Sequence, residues 1–414
     1  MNVQLLADRA LLPVATASTR YLVVRIEAPD LVREGETRAP ADVSFVLDRS
    51  GSMRGPKIGL AREAVLDALG RLGVDDGFSV VAFDDVAEQV VRQVRAAGSA
   101  VEDAREEVGT IHARGSTNLL AGWLLGEAGV RSDAGAGRAK RVILLTDGRV
   151  NVGECNPGVL VDTIGRAAEA GVITSALGVG NDFDEVLLND LAAAGRGGFV
   201  YLANADDIPA AMAREVGEAM DVVVRRPSVR VNVPGARVEL LASYPTRDED
   251  GATVASLPDL TVRQQIDVVF ALHLPAVETG LAVEVTLRGE GVADATSAIT
   301  LPTASAEVLA AEAVDMGVLY AVAKRIAADA RQQAVRAQYA RNFGHAEAVI
   351  HAAIARVAGL GPLDRTLQEV LDALHGDAHQ FSHRMEAASL KMHASRSASE
   401  LTDRTYEGTS RKWR

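Results

Sequence analysis

Two rhythms of hydrophobic positions divide this chain. From residue 42 to about 222, short β-branched runs alternate with stretches whose apolar residues recur at helical spacing, the pattern of a mostly parallel α/β sheet. The strand runs are VSFVLD, FSVVAF, AEQVVRQV, RVILLTD, ITSALGVG and GGFVYLA. Candidate helices between them include Lys57 to Leu72, Leu119 to Gly129, Pro157 to Ala170 and Phe183 to Ala194. VILLT and VSFVL are apolar on both faces, as central strands covered by helices above and below require.

The flanks follow a period of two. Between residues 225 and 303, RVNV, IDVVFALHL and GLAVEVTLRG alternate, so that Leu281, Val283, Val285 and Leu287 point one way while Glu284, Thr286 and Arg288 point the other. This predicts an antiparallel sheet with one wet face. Residues 1–40 hold two similar runs, NVQLLA and RYLVVRIEA, too few to stand alone. They are expected to pair with the 225–303 segment. After Pro302 the chain turns alanine-rich and helical, with breaks near Asn342–Gly344 and Gly359–Pro362, which predicts three helices.

The expected architecture is therefore a doubly wound, mostly parallel α/β sheet inserted into an antiparallel β-sandwich and followed by a helical region. By residue, 1–40 supply the first sandwich strands, 41–222 the α/β domain, 223–304 the rest of the sandwich, and 305–414 the helices with a flexible tail.

Composition narrows the function. The chain has 414 residues, 48% of them hydrophobic, enough for two or three cores. No apolar run approaches the roughly 20 residues of a membrane-spanning helix. The segment LLPVATAS ends in an Ala-x-Ala pattern, but Asp8 and Arg9 interrupt the apolar stretch before it, against a secretion signal. A single cysteine, Cys155, suits a reducing compartment, so the expected location is the cytoplasm. The net charge of −13 opposes nucleic acid or an anionic membrane as partner. The mildly basic end RTYEGTSRKWR reads as a solvated tail.

One stretch stands out chemically. VSFVLDRSGSM, residues 43–53, breaks from a buried strand into Asp48, Ser50 and Ser52 at alternate positions, and a helix with Pro56 in its first turn follows. These oxygens can converge above the carboxyl end of the strand, where open α/β sheets bind ligands. Carboxylate and hydroxyl oxygens without histidine or thiolate make a ligand set for a hard cation, Mg²⁺ rather than Zn²⁺. Mg²⁺ wants about six oxygens, more than one loop supplies. Thr117, in ARGSTNLLAG, and Asp147, in RVILLTDGRVN, lie at the same sheet edge.

The combination of Asp48, Ser50, Ser52, Thr117 and Asp147 resembles the von Willebrand factor A (VWA) domain, a Rossmann-like fold whose metal-ion-dependent adhesion site reads Asp-x-Ser-x-Ser, then Thr, then Asp after the fourth strand. The resemblance covers roughly residues 42–222 and extends to GVGNDFDEVLLNDLAAAGRGGFVYL, which is similar to bacterial members. Chloride-channel-like bacterial VWA proteins and inter-α-trypsin inhibitor heavy chains share the likeness. It implies that Ser50, Ser52 and, in some members, Thr117 touch Mg²⁺, with Mn²⁺ or Ca²⁺ as substitutes, while Asp48 and Asp147 act directly or through water. An open coordination position would then accept an Asp or Glu carboxylate from a partner protein. At family level, bacterial VWA proteins often work with AAA+ ATPases of the MoxR type.

Other readings of the same residues differ in what they need. The serines and Thr117 could simply cap helices, and TDG could be a turn. An aspartyl phosphotransferase needs a second carboxylate two residues after Asp48, where Ser50 stands, and no Walker loop or Gly-x-Ser-x-Gly elbow is present, so an enzyme, for instance a Mg²⁺-dependent hydrolase, is not expected. A scaffold with a structural metal would bind partners through the C-terminal helices instead. His375, His379 and His383, spaced four apart, read as a polar helix face rather than a metal site. RDEDG, residues 247–251, reads as a hairpin loop.

Overall fold

The computed structural model describes residues 1–30, 39–132 and 137–402, so the basic C-terminal run lies outside the described residues. The chain opens with strands β1 (Asn2–Ala7), β2 (Leu12–Pro13) and β3 (Ser18–Glu27), then builds an α/β unit comprising Asp30–Arg225 with Pro258–Val262.

In that unit β4 (Ala41–Asp48), β5 (Gly77–Phe83), β6 (Ala87–Arg95), β7 (Ala139–Thr146), β8 (Val172–Val179) and β9 (Arg196–Leu202) form one sheet in the order β6-β5-β4-β7-β8-β9. All neighbours are parallel except β5 and β6. Every residue of β4, β5 and β8 is buried, which is why these runs are predominantly apolar and show no in-out alternation. The chain goes from β4 to β5 on one side and later returns to β7 on the other. The connections therefore diverge at the carboxyl end of β4, the place where such sheets form a crevice.

Helices α1 (Pro56–Leu69), α2 (Ala100–Gly109), α3 (Leu119–Ser132), α4 (Pro157–Glu169), α5 (Glu185–Ala194) and α6 (Ile208–Met220) cover the sheet. Glycines line the face of α3 that packs on β4 and β5. A Cβ on Gly122 would fall 2.6 Å from the Phe83 ring, one on Gly126 2.4 Å from Val46 Cγ2, and one on Gly129 2.8 Å from Ser79 Oγ.

The other unit comprises Met1–Pro29, Arg226–Leu257 and Arg263 onward. Its strands after the α/β unit are β10 (Val222–Asn232, entering at Arg226), β11 (Arg237–Leu240), β12 (Thr246–Glu249), β13 (Ala252–Ser256), β15 (Gln265–Leu274), β16 (Leu281–Glu290), β17 (Ala295–Leu301) and β18 (Thr303–Ala304), while β14 (Leu260–Thr261) belongs to the α/β unit. They form antiparallel sheets ordered β1-β3-β15-β11 and β12-β13-β10-β16-β17, apart from β18, which pairs in parallel with β2. The N-terminal strands do pair with the later segment, β3 with β15 from Ser18↔Leu274 to Glu27↔Gln265. In β16 the alternation holds: Val283, Val285 and Leu287 are buried, Glu284 and Arg288 exposed. β15 departs from it, with Val268 through Leu272 buried without a break, because a helix lies on its second face and Arg325 of that helix donates to the Asp267 carbonyl at 3.0 Å. RDEDG places Asp250 and Gly251 at positive φ of 54° and 79°, the two-residue turn that matches the twist of a hairpin.

The C-terminal region corrects the count of three helices. After the short α7 (Ala306–Ala310), four long helices occur among the described residues: α8 (Met316–Tyr339), α9 (Phe343–Ala358), α10 (Arg365–Phe381) and α11 (Ala387–Thr402). The expected breaks carry Asn342 and Asp364 as N-caps, accepting from the His345 and Leu367 amides at 3.1 and 2.8 Å. The additional break has no glycine or proline. It is made by Gln338 of α8, whose amide nitrogen donates to the carbonyls of Phe381 and His383, both at 2.8 Å, and so satisfies the end of α10. His383 consequently lies beyond the helix, and the three histidines do not share one helical face.

Candidate metal centre

The site grows from the ends of β4 and β7. Asp48, the last residue of β4, is fully buried and accepts hydrogen bonds from the Ser50 amide at 2.7 Å and from Thr146 Oγ1 at 2.5 Å. Burial pushes its carboxyl up to about 6, against the Thr146 and Ser50 hydrogen bonds, and the nearby Asp147 charge adds to the rise. Past Asp48 the chain makes a tight turn, Gly51–Met53. There Ser50 Oγ and Ser52 Oγ lie 3.0 Å apart, and Ser52 donates to Asp147 Oδ1 at 2.6 Å.

Backbone bonds hold the surrounding loops in register. The Gly51 amide donates to the Gly115 carbonyl at 3.0 Å, and the Arg114 amide to the Arg49 carbonyl at 2.6 Å. Thr117 donates its amide to Asn151 Oδ1 at 2.8 Å, and its carbonyl accepts from the Asn151 and Val152 amides. The Thr117 loop is thus clamped to the segment following Asp147. Below it, Asp84 holds Arg49 at 3.0 Å and Arg114 at 2.6 Å. Burial opposes ionisation there, but the Val86 amide and the two guanidiniums keep its carboxyl below the usual range.

Gly148 is where the oxygens meet. A Cβ built on it would have Thr117 Oγ1 at 3.1 Å, Ser52 Oγ at 3.5 Å and Asp48 Oδ2 at 3.8 Å. Ser50 and Asp147 join this group through Ser52. All five residues singled out from the sequence therefore come together. Their donor set is oxygen alone, two carboxylates and three hydroxyls, which suits a small hard cation. Among the described residues no group of three or more His, Cys, Asp or Glu side chains is placed to hold a metal, so any such role at this site needs the hydroxyls.

Four nearby residues escaped the sequence reading. Thr146 orients Asp48; Asn151 fixes Thr117; Gly148 leaves the space; and Lys57, in the first turn of α1, places its ammonium on Asp147 Oδ2. Lys57 also reaches the Ser52 carbonyl at 3.4 Å. Cys155 is exposed in the loop beyond the site, its sulfur 3.6 Å from the Gly153 carbonyl.

A six-stranded, mostly parallel sheet with hydroxyls and carboxylates gathered at its carboxyl edge defines a class, and comparison with known proteins agrees. Residues 42–213 match the von Willebrand factor type A domain. The chain is a VWA-domain protein. It is 39% identical over 158 residues to inter-alpha-trypsin inhibitor heavy chain H4 of Sus scrofa, a match covering 37% of this chain and 17% of that one. It is 32% identical over 205 residues to an uncharacterized protein of Synechocystis, covering 48% of this chain and 46% of the other. The chain thus spans under half the length of either relative. In fold it is similar along nearly all its length to a von Willebrand factor type A structure from Catenulispora acidiphila, with TM-score 0.75, 19% identity and coverage of 97% and 96%. It is also similar to the ArnB paralog VWA2 from Sulfolobus acidocaldarius, with TM-score 0.63, 15% identity and coverage of 98% and 99%. Among the described residues no helix is long and apolar enough to cross a membrane.

Proposed function

We propose that the VWA domain is a metal-dependent protein-interaction module rather than an enzyme, with a divalent hard cation, Mg²⁺ first and Mn²⁺ or Ca²⁺ as substitutes, held by Asp48, Ser50, Ser52, Thr117 and Asp147. When bound, the cation supplies an electrophilic position for a carboxylate. The chain's residues do the rest. Thr146 turns Asp48 inward, the Asn151 clamp sets Thr117, and Gly148 keeps the space between them clear.

The observation that carries this reading is the convergence of Asp48, Ser52 and Thr117 oxygens about Gly148, with hydroxyls outnumbering carboxylates. Two carboxylates balance a divalent charge only in part once Lys57 sits on one of them. An acidic side chain from a partner protein is the natural completion, and a MoxR-type AAA+ ATPase is the kind of system in which that partner is sought. The exposed, unpaired Cys155 suits work in the cytoplasm.

The test is capture of partners from a lysate with wild type and Asp48→Ala, each with Mg²⁺ and with EDTA. The reading expects at least one protein lost both in the mutant and on chelation, and competed by an acidic peptide. Retention of the same proteins in all four samples sinks it.

A further inference from the structure

Lys57 breaks a local rule. It is the second residue of α1, directly after Pro56, and no acidic residue accompanies it in the first turn. A positive charge there opposes the helix dipole, which favours anions at the N-terminus. The compensation comes from Asp147, whose side chain is 0% exposed and whose Oδ2 contacts the ammonium, while Lys57 itself is 25% exposed. Gly180, at φ +73° after β8, is tied back by its amide to the Leu202 carbonyl at 2.8 Å and adjoins the lysine, a Cβ there falling at ordinary contact distance, 3.7 Å, from Nζ.

We propose that Lys57 is a built-in monovalent cation of this site that sets its affinity for divalent metal. The proposal rests on the metal reading above and deepens it. Asp147 is shared: Oδ1 accepts from Ser52, and Oδ2 faces the ammonium. A divalent ion among Asp48, Ser52 and Thr117 meets a carboxylate pair whose charge Lys57 has already halved. Cation and ammonium repel, so metal binds less tightly than the carboxylates alone would allow, and the occupied site keeps a surplus of positive charge. That surplus is what an incoming carboxylate recognises. Lys57 thereby trades metal affinity for selectivity toward acidic partners.

Mn²⁺ titration followed by electron paramagnetic resonance tests this on the full chain as wild type, Lys57→Met, Lys57→Arg and Asp48→Ala, with circular dichroism confirming that each is folded. Removing a unit charge a few ångströms from the metal is expected to tighten Mn²⁺ binding about tenfold or more in Lys57→Met, with Lys57→Arg near wild type. Lys57→Gln is read the same way if Lys57→Met does not fold. Equal or weaker binding in the neutral variants, with wild type binding one ion that Asp48→Ala loses, overturns the role of Lys57 and leaves the metal site standing. Absence of an Asp48-dependent Mn²⁺ site in wild type overturns both.

Discussion

The hydroxyl of Thr146 donates to Asp48 Oδ2 at 2.5 Å, so the last residue of β7 fixes the last residue of β4. The strands are adjacent and parallel, Leu47 opposite Leu145, and the bond sits one step beyond that pair. A carboxylate this buried is stable only with such donors. Site and sheet are therefore one structure.

Thr146→Val removes the donor while keeping the shape. The loss is expected to be about 2 kcal/mol in urea unfolding measured in EDTA, with Mn²⁺ affinity reduced as well, because Asp48 loses its orientation. Thr146→Ser, which retains the hydroxyl, should recover most of both. A variant as stable as wild type would show that the bond contributes nothing.

Gly126→Ala tests the close packing of α3. Its Cβ would lie 2.4 Å from Val46 Cγ2, and the helix must move to relieve the clash. Overpacking of this kind costs about 1–3 kcal/mol. Since α3 begins two residues after Thr117, weaker metal binding is expected beside the lower melting temperature.

Gln338→Leu leaves the carbonyls of Phe381 and His383 without their donor. A loss of about 1–3 kcal/mol is expected, in the transition that reports the helical region. Mn²⁺ binding at the VWA domain should be unchanged, which separates this variant from the two above.

His393 of α11 gives that region a pH dependence. Burial holds its imidazole below the ordinary value of 6.5. Asp377 and Glu400 pull the other way, Arg331 and Arg396 reinforce the depression, and Gln380 faces the ring at 3.3 Å. Above 6.5 the ring is neutral folded or unfolded, and its contribution is fully present. As pH falls below 6.5 the unfolded chain takes the proton first, and stability declines toward the depressed folded value. Asp8 and Asp329, raised chiefly by burial, contribute in the opposite sense at lower pH, so the quantity to measure is the difference between wild type and His393→Gln. That difference should shrink as pH falls from 7 to 5; a constant difference would contradict it.

What the sequence disclosed follows from how local each signal is. β4 and β7 were legible because burial on both faces leaves the nearly continuous apolar runs VSFVL and VILLT. The helix α2 was not among the candidates named, since only Ala104 and Val108 of its ten residues are buried and the rest reads as polar loop. The end of α10 was invisible because its terminator, Gln338, lies 43 residues upstream of Phe381. At the site, Asp48, Ser50 and Ser52 announced themselves by spacing within one loop. Thr146, Asn151 and Lys57 did not, because each matters only through a neighbour that the fold brings alongside, 98, 34 and 90 residues away in sequence.

The most direct test of the metal site is anomalous scattering from crystals of the protein grown or soaked with Mn²⁺. The account predicts a single strong peak beside Gly148, about 2.1 Å from the Ser50 and Ser52 hydroxyl oxygens. A peak elsewhere, at the exposed histidines for example, or no peak at saturating Mn²⁺, would contradict it.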